Sequence, residues 1–199
     1  MFIKLNDSKP ARFMYTVIAI CLVSCIICFF LYYTHRTTSE VVLWIGIVTF
    51  TIMYHFWVRI ILGNVSKLFR KHIRYDQWWF KEHKFEKGLY KILKVKKWKD
   101  KTFTYNPRDF DVKNKPLDEI ANIMAKSEVD HWINECISLS TLLFIIPWHQ
   151  PIIFIIQALA AMIFDSQFII IQRYNRPRVI KALQHKQKTA EKEINNDKS

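Results

Sequence analysis

Read for its hydrophobic and polar positions, the chain divides into blocks. Phe13 to Tyr33 is an uncharged run of 21 residues. Val41 to Val58 is a second apolar run, interrupted only by His55, and Ile60 to Leu62 extend it past Arg59. Trp132 to Trp148 is a third, with Glu135 near its start, and Pro151 to Gln172 a fourth, with Asp165 inside it. A helix that crosses a bilayer needs about 20 mostly apolar residues. The pattern predicts an all-α protein with four transmembrane helices, at about 13–33, 41–62, 132–148 and 151–172, forming a single integral membrane domain over 1–199.

Composition sharpens this picture. The chain is 51% hydrophobic, which excludes a disordered polar chain, and its 3 Gly and 6 Pro exclude a collagen-like or low-complexity one. The net charge of +13 is confined to the connections. The leader carries Lys4, Lys9 and Arg12, and the stretch from Lys67 to Lys126 holds 17 Lys/Arg against 8 Asp/Glu. The tail from Arg173 onward is basic as well, whereas Thr34–Glu40 has only Arg36 and the His149-Gln150 turn has no charge beyond histidine. The Lys/Arg bias predicts a multi-pass cell-membrane protein with both termini, the loop over 63–131 and the tail over 173–199 in the cytoplasm. A cleaved signal peptide competes for the first run. Leu22-Val23-Ser24-Cys25 loosely fits a lipoprotein box, but apolar sequence continues to Tyr33 where a polar mature start would stand.

The cysteines point to packing. Cys21, Cys25 and Cys28 share one helical face and Cys136 falls in the third run, with none in an external connection, so no disulfide framework is expected. No CxxC-type zinc pattern or HExxH helix occurs, and no metal site is expected.

In the central loop, Trp78, Trp79, Phe85, Leu89, Ile92 and Leu93 recur near helical spacing, with Lys81, Lys84, Lys87, Lys91 and Lys94 around them. This predicts an amphipathic interfacial segment between helices 2 and 3, aromatics in the headgroup layer and lysines toward anionic lipid, with Gly88 able to split it. A nucleic-acid surface has the same composition, but tethering between two spans favours the bilayer, and no nucleic-acid partner is expected. A loop that only sets orientation would need lysines alone.

A helix is expected to begin at Pro116, with Asp118 and Glu119 in its first turn, and to continue to Pro147. On it Glu128, His131 and Glu135 stand at i, i+3 and i+7, on one face. Histidine exchanges a proton near neutral pH, and a carboxylate one turn away can set its tautomer. The competing reading is an interfacial histidine beside solvated acids. At the end of the fourth run, Arg173, Arg176 and Arg178 can hold a phosphate or carboxylate by forked hydrogen bonds. Asp165, Gln172 and Arg176 share a face there, and an acid at Asp165's depth should point into the bundle. A stop-transfer anchor with one internal ion pair is the alternative.

Three motifs carry a resemblance. Trp98-Lys99-Asp100, Glu128-x-x-His131-Trp132 and Gln172-Arg173-Tyr174-Asn175-Arg176-Pro177-Arg178 resemble, in this order, the glycosyl-4,4'-diaponeurosporenoate acyltransferase family over about Tyr75 to Leu183. Lys101-Thr102-Phe103 departs from a Leu-Pro-like continuation. The resemblance implies esterification of a fatty acyl chain onto the sugar of a glycosylated carotenoid acid. It implies an acyl thioester such as acyl-CoA as co-substrate, no cofactor, and a lipid or glycosylated carotenoid as acceptor. Under it His131 is the candidate base with Glu128 or Glu135 beside it. Arg173, Asn175, Arg176, Arg178, Trp98, Asp100 and Asp165 are candidate binding groups. Its chief rival is a non-catalytic membrane scaffold or lipid-binding protein; a second is an acyltransferase acting on a different glycolipid.

Overall fold

The computed structural model describes residues 9–102 and 107–196. Lys4 of the basic leader and Phe103 of the departing motif lie outside them. The described residues contain seven α-helices: α1 (Lys9–Tyr33), α2 (Glu40–Phe69), α3 (Glu86–Ile92), α4 (Val95–Trp98), α5 (Leu117–Ser140), α6 (Ile145–Trp148) and α7 (Pro151–Asn196). Short 3-10 turns fall between some of them, and no strand occurs among the described residues. Four helical stretches are long and apolar enough to cross a membrane: Arg12–Tyr33, Glu40–Ser66, Leu117–Trp148 and Pro151–Asn196. The fold is all-α, as the blocks require.

The boundaries differ from expectation where side chains compete with the backbone. α5 loses regularity at Ser140, before Pro147. Ser138, Ser140 and Thr141 each return their hydroxyl to a carbonyl three or four residues back, a competition that bends helices. Pro147 then offers no N–H to the turn behind it, and Thr141–Phe144 tightens to 3-10 geometry. The chain reverses at His149, which adopts a left-handed φ of 52°, and Pro151 opens α7 where a missing N–H costs nothing. Pro177 does not end α7, which runs 46 residues to Asn196 and is about 69 Å long. The tail is therefore helical. The segment over 78–98, expected to be amphipathic, is not one helix split at Gly88. It is a 3-10 turn at Trp78–Phe80, then α3 with Gly88 inside it, then α4 after Lys94 at φ 50°.

The chain forms two compact units. The first holds the described residues of Met1–Val65 and Asn134–Ile163. Its core is Leu43, Ile47 and Phe154, with Phe29, Phe144 and Trp148 against it. Tyr54 and Ser140 hydrogen-bond at 2.8 Å, and buried Thr51 satisfies itself on the Ile47 carbonyl. Cys21 and Cys25 are buried as packing residues, but Cys136 is exposed. α1 and α2 approach closely at Gly46, where an added Cβ would stand 2.7 Å from the Phe29 ring. Small residues permit such contacts between apolar helices. The second unit holds the described residues of Ser66–Ile133 and Phe164–Ser199. Val95, Ile120, Ala121 and Ala125 are fully buried there. Asn122 accepts from the Tyr75 backbone N–H at 3.1 Å, and Arg70 pairs with Asp130, so residues 70–75 are tied to α5.

Two glycine substitutions should move stability in opposite directions. At Gly46 the new methyl meets a ring that stacks on Trp148 with centroids 5.6 Å apart, and overpacking costs about 1–3 kcal/mol. At Gly63 an added Cβ would meet no other side chain within 4 Å, and Gly→Ala in a helix should stabilise by about 0.5–1 kcal/mol. Thermal unfolding in detergent should show Gly46→Ala below and Gly63→Ala above the parent; equal shifts would contradict the packing described.

Candidate active site

The second unit carries an inward polar stripe on α7. Asp165, Ile169, Gln172 and Arg176 stand at i, i+4, i+7 and i+11, and all are buried. α5 faces this stripe with Glu128, fully buried, and His131, whose side chain keeps 20% of its exposure. The helical spacings align each set, and pairing between the helices does the rest.

His131 Nδ1 lies 2.8 Å from Asp165 Oδ1. An ionised carboxylate only accepts, so beside one Nδ1 is the donor of this pair. The imidazole lies flat against Phe168, with centroids 4.5 Å apart and planes 4° from parallel. The ring is thus clamped by a carboxylate at its edge and an aromatic on its face.

One turn before His131, Glu128 accepts from Arg173 at 2.6 Å and from Arg176 at 2.5 Å, one arginine on each oxygen. Arg173 also gives Nε and Nη2 to Glu86 Oε1, at 3.0 and 2.7 Å, and Tyr90 donates to the other Glu86 oxygen at 2.6 Å. The carbonyls of Trp79 and Lys81 accept further bonds from Arg173, and that of Phe80 accepts from Arg176. Arg176 also lies over the Phe80 ring. Two arginines, two glutamates and three successive carbonyls so form one buried clasp. Burial pushes the Glu86 carboxyl up, but hydrogen bonds from Arg173 and Tyr90 outweigh it and hold it below the usual carboxylate range. Burial and the Glu86 partner push the Tyr90 phenol up.

The predicted residues therefore separate by role. His131 and Asp165 meet, although Asp165 was read as a binding group. Each Glu128 oxygen carries an arginine, whereas Nδ1 of His131 faces Asp165. Glu135 is buried and belongs to the first unit. Arg173 and Arg176 hold protein carboxylates. Asn175 is half-buried, and exposed Arg178 turns back to the Tyr174 carbonyl and ring. Trp98 donates to the Leu93 carbonyl at 2.9 Å, and Asp100 is exposed and paired with Lys99. These partners of Trp98 and Asp100 all lie within their own segment of the loop. Glu86, Tyr90 and Phe168 were not anticipated. The available signal was Glu86 and Tyr90 at i, i+4, out of phase with the lysines, and Phe168 one turn after Asp165.

The histidine–aspartate pair thus stands in an all-α chain with four helices long and apolar enough to cross a membrane. The chain belongs to the glycosyl-4,4'-diaponeurosporenoate acyltransferase family: the family's model matches residues 76–185, more than half of the chain. It is an acyltransferase by that membership. The match contains His131, Asp165 and the whole clasp. No curated protein and no solved structure matches the chain.

Glu128→Ala should destabilise by about 3–5 kcal/mol, the cost of stranding a buried charge, while Arg178→Ala should stay within about 0.5 kcal/mol; thermal unfolding in detergent checks both. A carboxyl depressed in the folded state adds stability above its unfolded value and loses it as pH falls through the folded one. The Glu86 contribution should therefore decline below about pH 4.5, and Glu86→Gln should flatten that part of the melting-temperature profile.

Proposed function

We propose that the protein is a multi-pass membrane acyltransferase that esterifies a fatty acyl chain onto the sugar of a glycosylated carotenoid acid or similar glycolipid. The observation that carries this reading is the 2.8 Å pair between His131 Nδ1 and Asp165 Oδ1. Acyl transfer to a hydroxyl needs a base for the hydroxyl proton. His131 Nε2 takes that proton, and the sugar oxygen attacks the carbonyl carbon of an acyl thioester such as acyl-CoA. The tetrahedral intermediate expels the thiolate, which recovers the proton from the imidazolium. Asp165 fixes the tautomer and stabilises the imidazolium, so it is a positioning residue. No cofactor is required beyond the donor.

Arg173 and Arg176 contribute by fixing α5 against α7 within the second unit, and Arg178 is left to meet anionic groups of the donor. The membrane part of the reading is supported by the exposed faces of the long helices. Ile20, Val23, Ile26 and Phe30 on α1 and Ile152, Ile156, Leu159 and Ile163 on α7 are exposed, a surface suited to lipid rather than water. The Lys/Arg bias assigns both termini and the central loop to the cytoplasm.

Mass spectrometry of lipid and pigment extracts from cells expressing parent and variant chains at equal levels tests the reaction. His131→Ala should reduce the acylated glycolipid by about 10²–10⁴-fold, the share a general base supplies, and Asp165→Asn should lose activity with it. Full activity of His131→Ala would remove the histidine as the base.

A further inference from the structure

α3 has three sectors. Glu86 and Tyr90 point inward and are buried. Phe85, Leu89, Ile92 and Leu93, at i, i+4, i+7 and i+8, form a second sector that is exposed, Phe85 by 68% and Ile92 by 78%. Lys87 and Lys91 form the third, with Lys84 and Lys94 in the turns on either side, and all four are exposed. The preceding turn adds Trp78, 71% exposed, and Trp79.

This helix is inverted relative to one that meets water. It buries its acid and displays its phenylalanine, leucines and isoleucine, whereas a water-facing amphipathic helix does the reverse. Its rotation is set by the clasp, since Glu86 takes two bonds from Arg173 and one from Tyr90. With that side tethered, the apolar sector cannot roll under cover. Patches of this kind mark a surface that another phase or molecule covers. Two features identify the cover. The neighbouring lysines complement anionic headgroups, and tryptophan belongs at the level where acyl chains meet headgroups. The segment also follows directly on α2, whose Glu40–Ser66 stretch is long and apolar enough to span a bilayer.

We propose that the Trp78–Trp79 turn and the Phe85/Leu89/Ile92/Leu93 sector of α3 dock into the surface of an anionic bilayer, with Lys84, Lys87, Lys91 and Lys94 against the lipid phosphates. The inference rests on the multi-pass membrane part of the reading above and is independent of the acyl-transfer chemistry. Docked in this way, the sector reaches roughly 5–10 Å into the boundary between headgroups and acyl chains. The clasp links it, through Arg173 and Glu128, to the turn of α5 that precedes His131.

The test uses the full chain in vesicles. An environment-sensitive fluorescent amino acid is introduced by nonsense suppression at Phe85, Ile92, Lys87 or, as an exposed tail control, Lys188. Vesicles of phosphatidylcholine, with and without phosphatidylglycerol, carry brominated acyl chains as quenchers. Quenching at positions 85 and 92 should exceed that at 87 and 188 by about twofold or more and should deepen with the anionic lipid. Quenching at 85 and 92 no stronger than at 188 overturns the proposal. Protection that appears only at high protein density, with energy transfer between labelled copies, also overturns it in favour of a second copy of the chain. Insensitivity to phosphatidylglycerol overturns the assignment of the lysines. The readout does not depend on turnover. Failed docking with intact acyl transfer therefore sinks this inference alone, and docking without acyl transfer sinks the proposed reaction alone.

Discussion

A fully buried carboxylate has to find cations, and Glu128 sets the terms for the second unit. Its two oxygens take one arginine each, from positions 173 and 176 on the same face of α7. Those guanidiniums need acceptors in turn, and they reach Glu86 and the carbonyls of residues 79–81. Each obligation recruits the next, until the turn at Trp78–Phe80 and α3 are bound to α5 and α7. Buried ion pairs of this kind seldom add net stability over a well-packed apolar equivalent. Their value here is register, because a slide of α7 by one residue would swing both arginines off Glu128.

Register is also what the histidine requires. His131 lies one turn beyond Glu128 on α5, and Asp165 lies two turns before Arg173 on α7. The spacing that lets the arginines straddle Glu128 is thus the spacing that brings Asp165 to Nδ1. A histidine oriented by a flexible or solvated carboxylate would sample both tautomers. Here Asp165 is buried and Phe168 covers the ring face, so the ring is held at Nδ1 and on one face. The clasp and the histidine pair are two consequences of one helix alignment.

The same alignment explains why polar groups sit inside and apolar ones outside. α7 buries Asp165, Gln172 and Arg176 while exposing Ile152, Ile156, Leu159 and Ile163, and α3 buries Glu86 while exposing Phe85 and Ile92. In water this ordering would waste hydrophobic area and desolvate charge. Beside lipid it is the favourable one, since a charge left facing hydrocarbon is costly.

Much of this protein was determined by its sequence alone. Bilayer thickness converts uncharged length directly into spans, so the four long helices were legible as blocks. Helical periodicity put Glu128, His131 and Glu135 on one face, and Asp165, Gln172 and Arg176 on another, because such alignments are local. The motifs at positions 128–132 and 172–178 also carried the family. Tertiary structure decided which carboxylate meets His131. The acids on its own helical face were Glu128 and Glu135, yet the partner on Nδ1 lies 34 residues away, because only packing sets the register of α5 against α7. It likewise gave Arg173 and Arg176 protein partners where the sequence offered anion-binding groups, since a pairing between residues 86 and 173 leaves no periodic trace. Helix ends escaped for a smaller reason. The hydroxyls of Ser138, Ser140 and Thr141 tighten α5 early, and α7 absorbs Pro177, and both depend on which backbone bonds the surroundings can replace.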